Sequence, residues 1–103
     1  MDNKITKYGY RHPETKQWLY WDYSYITRSS GERERFIDDV GYVALHDAIL
    51  YHSRNIIEED FDEVRREYPE LTEGFEIIKV NITFEALEDF ENVEIKATYT
   101  YAD

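Results

Sequence analysis

Two segments near the end of the chain alternate so regularly that they restrict the fold more than anything else in it. In residues 75–84, Ile78, Val80, Ile82 and Phe84 alternate with Ile77, Lys79, Asn81 and Thr83. In residues 93–101, Val93, Ile95, Ala97, Tyr99 and Tyr101 alternate with Glu94, Lys96, Thr98 and Thr100. A period of two with one apolar and one mainly polar face is the pattern of antiparallel strands covered on one side. Something must supply that cover. The segment before them does so in outline, because Ile57, Phe61, Val64, Tyr68 and Leu71 step by four, three, four and three, the spacing of a helix with a single apolar stripe. Pro69 and Gly74 close that helix.

Toward the N-terminus, residues 5–12 and 17–26 read as a β-hairpin, rich in Tyr and Trp, with His12-Pro13-Glu14-Thr15-Lys16 as its turn. In the second strand both faces are large: Leu19, Trp21, Tyr23 and Tyr25 against Trp18 and Tyr20. One face meets the core, and the other is covered by a second element or left as an aromatic surface. Arg28-Ser29-Ser30-Gly31 reads as a loop, with Ser29 and Glu32 as a weak capping box. A helix is expected from about Glu32, because Phe36, Val40, Val43 or Ala44, Ala48 and Tyr51 lie at helical spacing, with Gly41 the awkward residue inside it. Asn55 and Glu58 are candidate caps for a second helix, and whether residues 32–68 form one kinked helix or two stays open. The expected fold is therefore α+β, a single domain over residues 1–103: a four-stranded antiparallel sheet in ββ-α(α)-ββ order with one or two helices packed on one face.

Charge narrows the function classes. The chain of 103 residues carries a net charge of −11, and its two parts differ sharply. Residues 1–35 hold seven Lys/Arg against five Asp/Glu, whereas residues 36–103 hold five against 18. Such a field attracts basic partners and repels nucleic acid and anionic membrane. An apolar fraction of 42% argues against disorder despite this charge. The absence of Cys removes disulfides, thiolate metal sites and cysteine nucleophiles. With a polar N-terminus and no apolar run of membrane-spanning length, a cytoplasmic setting is expected.

Two acidic clusters are the candidate contact surfaces. On the expected helix, the face opposite the apolar stripe presents Glu59, Asp62, Glu63, Arg66 and Glu70, with Asp62 and Arg66 as an i,i+4 pair and Glu58, Glu59 and Asp60 in the first turn. The everyday role of such a face is solvation. Its sharper role is a ladder of carboxylates about 5–6 Å apart that stands in for the phosphates of nucleic acid. The second cluster is the connection holding Glu85, Glu88, Asp89 and Glu91, with Leu87 and Phe90 set among them. Glu59, Asp62, Glu63, Glu70, Glu88 and Asp89 are the candidate partner-binding residues.

Catalytic and metal readings find little support. The Asp60 and Asp62 region has helical periodicity and lacks the Gly of a calcium loop. His46 and His52 are six apart, not the i,i+4 spacing of a helical zinc pair. His46 and Asp47, as helix neighbours, point about 100° apart, and His12 before Pro13 reads as structural. No cofactor, metal or catalytic residue is assigned. The aromatic hairpin with Lys4, Lys7, Arg11, Lys16 and Arg28 has the mixture that stacks single-stranded bases, but the acidic remainder opposes phosphate approach.

The leading expectation is a non-enzymatic protein that binds a basic surface of another protein, such as a nucleic-acid-binding enzyme, and makes no direct contact with nucleic acid or membrane. In size, charge and lack of Cys the chain resembles, as a class only, the inhibitors that phages and mobile elements encode against restriction and CRISPR nucleases. The alternative is an assembly module that forms a homodimer through Trp18, Tyr20 and Trp21 of the hairpin, with the acids serving solubility.

Overall fold

The computed structural model describes residues 3–88 and 93–102. Five strands form one antiparallel sheet: β1 (Asn3–Arg11), β2 (Trp18–Thr27), β3 (Arg33–Val43), β4 (Glu76–Glu88) and β5 (Val93–Tyr101), in the order β3-β2-β1-β4-β5. Between β3 and β4 come a short 3-10 turn (Leu45–Asp47), helix α1 (Arg54–Glu67) and a single-turn helix α2 (Pro69–Thr72). The class is α+β as expected, and the four expected strand segments are strands, with β4 and β5 paired throughout but β1 and β2 meeting only at Arg11 and Trp18 instead of as a full hairpin.

The difference is β3. Residues 33–43, expected as helix, form an edge strand, so the sheet has five strands rather than four. The Ser29–Glu32 segment is correspondingly a hairpin turn and not a helix cap. Gly31 takes φ +88°, and Arg28 and Glu32 close the loop through Arg28 N–H to Glu32 O at 2.8 Å. Gly31 suits that backbone because it has no Cβ to clash.

The physical reason for the misleading period is a β-bulge. Asp22 lies opposite Asp39 and Tyr23 opposite Ile37, so Asp38 is the extra residue on β3. A bulge shifts the alternation by one, which places Ile37 and Val40, three apart, on the same buried side and leaves Phe36 exposed. The expected helical stripe is thus divided among β3, the 3-10 turn region and the extended segment at Tyr51.

The sheet is forked. β1 pairs with β4 along its whole length, from Asn3 opposite Phe84 to Arg11 opposite Glu76, but with β2 only at Arg11 and Trp18. The segment before α1 fills the fork. Tyr8 and Tyr51 exchange both backbone bonds, at 2.8 and 2.9 Å, while Ile49 N–H reaches Leu19 O at 3.4 Å. These bonds satisfy backbone groups that the diverging strands would otherwise leave unpaired. Because the inserted segment is extended, Ile49 and Tyr51 join one side of the sheet and Leu50 the other.

Two apolar clusters result. On one side Ile57, Phe61 and Val64 of α1 meet Tyr10, Leu19, Trp21 and Ile37. On the other, Leu45, Ala48 and Leu50 cover Trp18, Val80, Ile82 and their neighbours. Each fully buried aliphatic or aromatic side chain in such a cluster contributes about 1.5–3 kcal/mol. Gly9 allows the fork to close, since a Cβ there would lie 2.7 Å from Leu50 Cδ2 and 3.2 Å from Ile49 O.

α1 starts earlier than its charges suggest. Ser53, rather than Asn55, is the N-cap, and its side chain accepts from Ile56 N–H at 3.3 Å. Glu58, Glu59 and Asp60 therefore occupy the second turn, while Arg65 and Arg66 in the last turn complement the helix dipole. Tyr68 and Pro69 break the helix before α2, and Gly74 at φ +81° turns the chain into β4.

Candidate functional site

The candidate residues of α1 are largely neutralised by neighbouring arginines. Asp62 pairs with Arg65 at 2.6 Å, not with Arg66, whose Nε donates instead to the Asp62 backbone carbonyl at 3.2 Å. Glu63 accepts from Arg35 of β3 at 3.0 Å, and Asp60 lies 3.7 Å from the same guanidinium. Glu58 is held by Arg54 at 2.7 Å. Of the expected ladder, only Glu59 on α1 and Glu70 beyond its end are exposed without an ion pair among the described residues. Each of these exposed pairs adds little stability. Together they nonetheless interrupt the run of negative charge that phosphate mimicry by α1 requires.

Beneath this surface, α1 is tied to the sheet by a polar network. Tyr51 Oη donates to Asp60 at 2.6 Å, and the Arg35 guanidinium sits 4.1 Å above the Tyr23 ring. Burial, reinforced by the Asp60 charge, pushes the Tyr23 phenol up to about 12. Burial first, and then the hydrogen bond to Asp60, pushes Tyr51 up as well. Only Tyr51 ties α1 through its hydroxyl, whereas the Tyr23 hydroxyl is buried without a hydrogen-bond partner among the described residues and its ring serves Arg35.

The remaining candidate on this side, Glu70, belongs to a different feature. It lines an open groove of about 550 Å³ between the β1–β2 turn and the chain from α2 into β4. Glu14 comes from the turn, Glu73 and Glu76 from the α2–β4 connection, and Tyr42 from β3. The Tyr42 and Phe75 rings stack at 5.4 Å with 20° between planes, and the His12 ring meets Phe75 edge-on at 5.3 Å. Tyr42 Oη donates to Leu71 O at 2.8 Å, which fixes the ring.

Among the described residues, none of Glu14, Glu70, Glu73 and Glu76 forms an ion pair, and the lining of the groove contains no Lys or Arg. This is a concentrated negative potential over an aromatic floor. His12 holds one wall in place. Its Nδ1 accepts from the Glu14 and Thr15 N–H groups at 3.2 and 3.3 Å, and Gly74 leaves room for its Nε2, which a Cβ would approach to 2.7 Å. The structural reading of His12 agrees with these contacts.

Reading the sequence missed Glu14, Glu73, Glu76, Tyr42 and Phe75 as partners of Glu70. One local signal was present, the Glu73-Gly74-Phe75-Glu76 run just past the helix. Tyr42 was hidden by the helix expected there.

The second acidic cluster is only partly described. Asp89, Phe90 and Glu91 lie outside the described residues, as do the side chains of Leu87 and Glu88. Of the hairpin residues, Trp18 and Trp21 are 2% and 1% exposed and belong to the core. Neither indole is available to a second copy of the folded chain, which leaves half-buried Tyr20 as the accessible member. Its phenol is pushed up mainly by Asp22, with burial and Asp39 adding to the effect. His46 Nε2 reaches Asp47 Oδ2 at 3.2 Å in the 3-10 turn, where both side chains are exposed and neither lines the groove.

Among the described residues there is no cluster of three or more His, Asp or Glu placed to hold a metal ion, and no helix is long and apolar enough to cross a membrane. Comparison with protein-family models, curated proteins and solved structures finds no match to this chain.

Proposed function

We propose that this domain is a non-enzymatic binding protein that docks a negative surface on a basic surface of another protein. The observation that carries the reading is the groove at Glu14, Glu70, Glu73 and Glu76, whose carboxylates have no cationic partner within the described chain. Carboxylates grouped in this way raise the local concentration of cations and steer basic partners. A partner whose Lys and Arg normally hold phosphates is then occupied, and nucleic acid is excluded by competition. An inhibitor of a nucleic-acid enzyme, of the kind that phages and mobile elements use, fits this mechanism. The ion pairing on α1 moves the centre of the proposed contact from Asp62 and Glu63 toward Glu70 and its groove neighbours, with Glu59 at the periphery.

The test compares wild type with two charge variants, Glu14/Glu70/Glu73/Glu76→Gln and Glu59/Asp62/Glu63→Gln. Partners are captured at low and high salt, identified by mass spectrometry, purified, and assayed for DNA or RNA binding with and without the domain. The expected result is a salt-released, nucleic-acid-binding partner that loses its nucleic acid to wild type and keeps it with the groove variant. If the groove variant displaces nucleic acid as well as wild type does, the reading is wrong.

A further inference from the structure

We propose that the groove is a receptor for an arginine side chain of the partner, an inference that rests on the reading above and narrows it to one chemistry. Four exposed glutamates around the rim would draw any cation. They do not by themselves separate arginine from lysine. The aromatic floor does. Tyr42 and Phe75 are stacked at 5.4 Å, Tyr42 is pinned through its hydroxyl to Leu71 O, and His12 buttresses Phe75 from the edge.

A guanidinium is planar and weakly hydrated, so it can lie on a ring face while its five N–H groups reach carboxylates at the rim. An ammonium is compact and strongly hydrated, and it gains less from the rings. The walls are fixed before anything binds. Gly74 holds a left-handed conformation at φ +81°, Phe75 N–H bonds Thr72 O at 3.3 Å, and the His12 turn is closed by Lys16 N–H to His12 O at 2.9 Å. A preformed site loses less conformational entropy on binding, which is what recognition of a single side chain needs.

The test is a ¹⁵N amide titration with three capped tripeptides, acetyl-Gly-Xaa-Gly-amide, in which Xaa is Arg, Lys or the neutral isostere citrulline. The Arg peptide is expected to give saturable shifts at His12, Gly74, Phe75 and Glu76. Its binding should be tighter than that of the Lys peptide by up to about fivefold, the most that a cation over an exposed ring supplies. The citrulline peptide should give none. Phe75→Leu should abolish the preference for Arg over Lys while leaving weak binding of both. Glu73→Gln/Glu76→Gln, which changes only exposed side chains, should weaken both peptides.

Equal affinities for Arg and Lys, citrulline shifts as large as those of Arg, or Arg shifts centred on α1 around Glu59 would each overturn the inference. Poly-arginine separates this failure from failure of the broader reading. Shifts on α1 without the groove sink only the arginine receptor, whereas no shifts anywhere sink the basic-partner reading with it.

Discussion

Phe61 is the residue through which α1 is held to the sheet, and truncating it tests that docking directly. Its ring is 6% exposed and stacks on Tyr10 at 3.8 Å with 12° between planes. Ile57 and Val64, one turn to either side, are fully buried and leave no room for the helix to shift into the vacated space. Phe61→Ala should therefore cost about 3–5 kcal/mol, the range for a large aromatic removed from a core that relaxes only in part. For a domain of this size that is a large share of a total stability of about 5–15 kcal/mol. The melting temperature should fall by about 12 °C or more.

The control lies on the same helix. Ile56 is 53% exposed, and Ile56→Ala should change stability by less than about 0.5 kcal/mol. A double-mutant cycle of Tyr10→Leu and Phe61→Leu should give a coupling of about 0.5–1.5 kcal/mol for the ring pair. Urea unfolding followed by circular dichroism and by the fluorescence of Trp18 and Trp21 measures all five variants. If Phe61→Ala costs no more than Ile56→Ala, α1 does not pack on the sheet through this face.

Three further outcomes are expected. Gly9→Ala places a methyl 2.7 Å from Leu50 Cδ2 and 3.2 Å from the Ile49 carbonyl, so urea unfolding should show a loss of about 1–3 kcal/mol and faster amide exchange at Tyr8 and Tyr51; unchanged exchange there would count against the fork. Tyr51→Phe removes the 2.6 Å bond to Asp60 and should cost about 1.5 kcal/mol in equilibrium unfolding, the lower end for a bond to a charged group because the site is only half-buried; a neutral change would mean that the bond is not made in solution. Burial pushes Tyr10 up to about 12, with Glu58 and Asp62 adding to it, while unfolded phenols titrate near 10. The folded form thus holds its proton longer, so this contribution to stability is fully present below pH ~10 and is lost as pH rises from there toward 12. Tyr10→Phe should flatten that alkaline loss, and a melting-temperature profile from pH 8 to 12 that is the same in both proteins would refute the assignment.

Local pattern determined much of this protein. The apolar stripe of α1 and the alternation in β4 identify their elements because each hides a face from water, whereas β5 keeps the alternation of a strand although its Ile95 and Tyr101 are exposed. The aromatic strands β1 and β2, and the helix stop at Pro69 with the turn at Gly74, follow from propensity and backbone chemistry in the same way. Strand β3 was not legible because the extra residue Asp38 resets the alternation, which hides the period of two, while Phe36 and Val40 fall at helical spacing although Phe36 is exposed. Net charge identifies a strongly acidic chain, yet not which carboxylates remain unneutralised, since that depends on Arg35 crossing from β3 to Glu63. Only tertiary structure decided that Trp18 and Trp21 are core rather than surface, that residues 49–51 close a fork in the sheet, and that Glu14, Tyr42, Glu70 and Phe75 meet in one groove. The physical reason is the same in each case. Periodicity reports which face of an element avoids water, whereas what lies across that face depends on strand order and loop path, which no local pattern encodes.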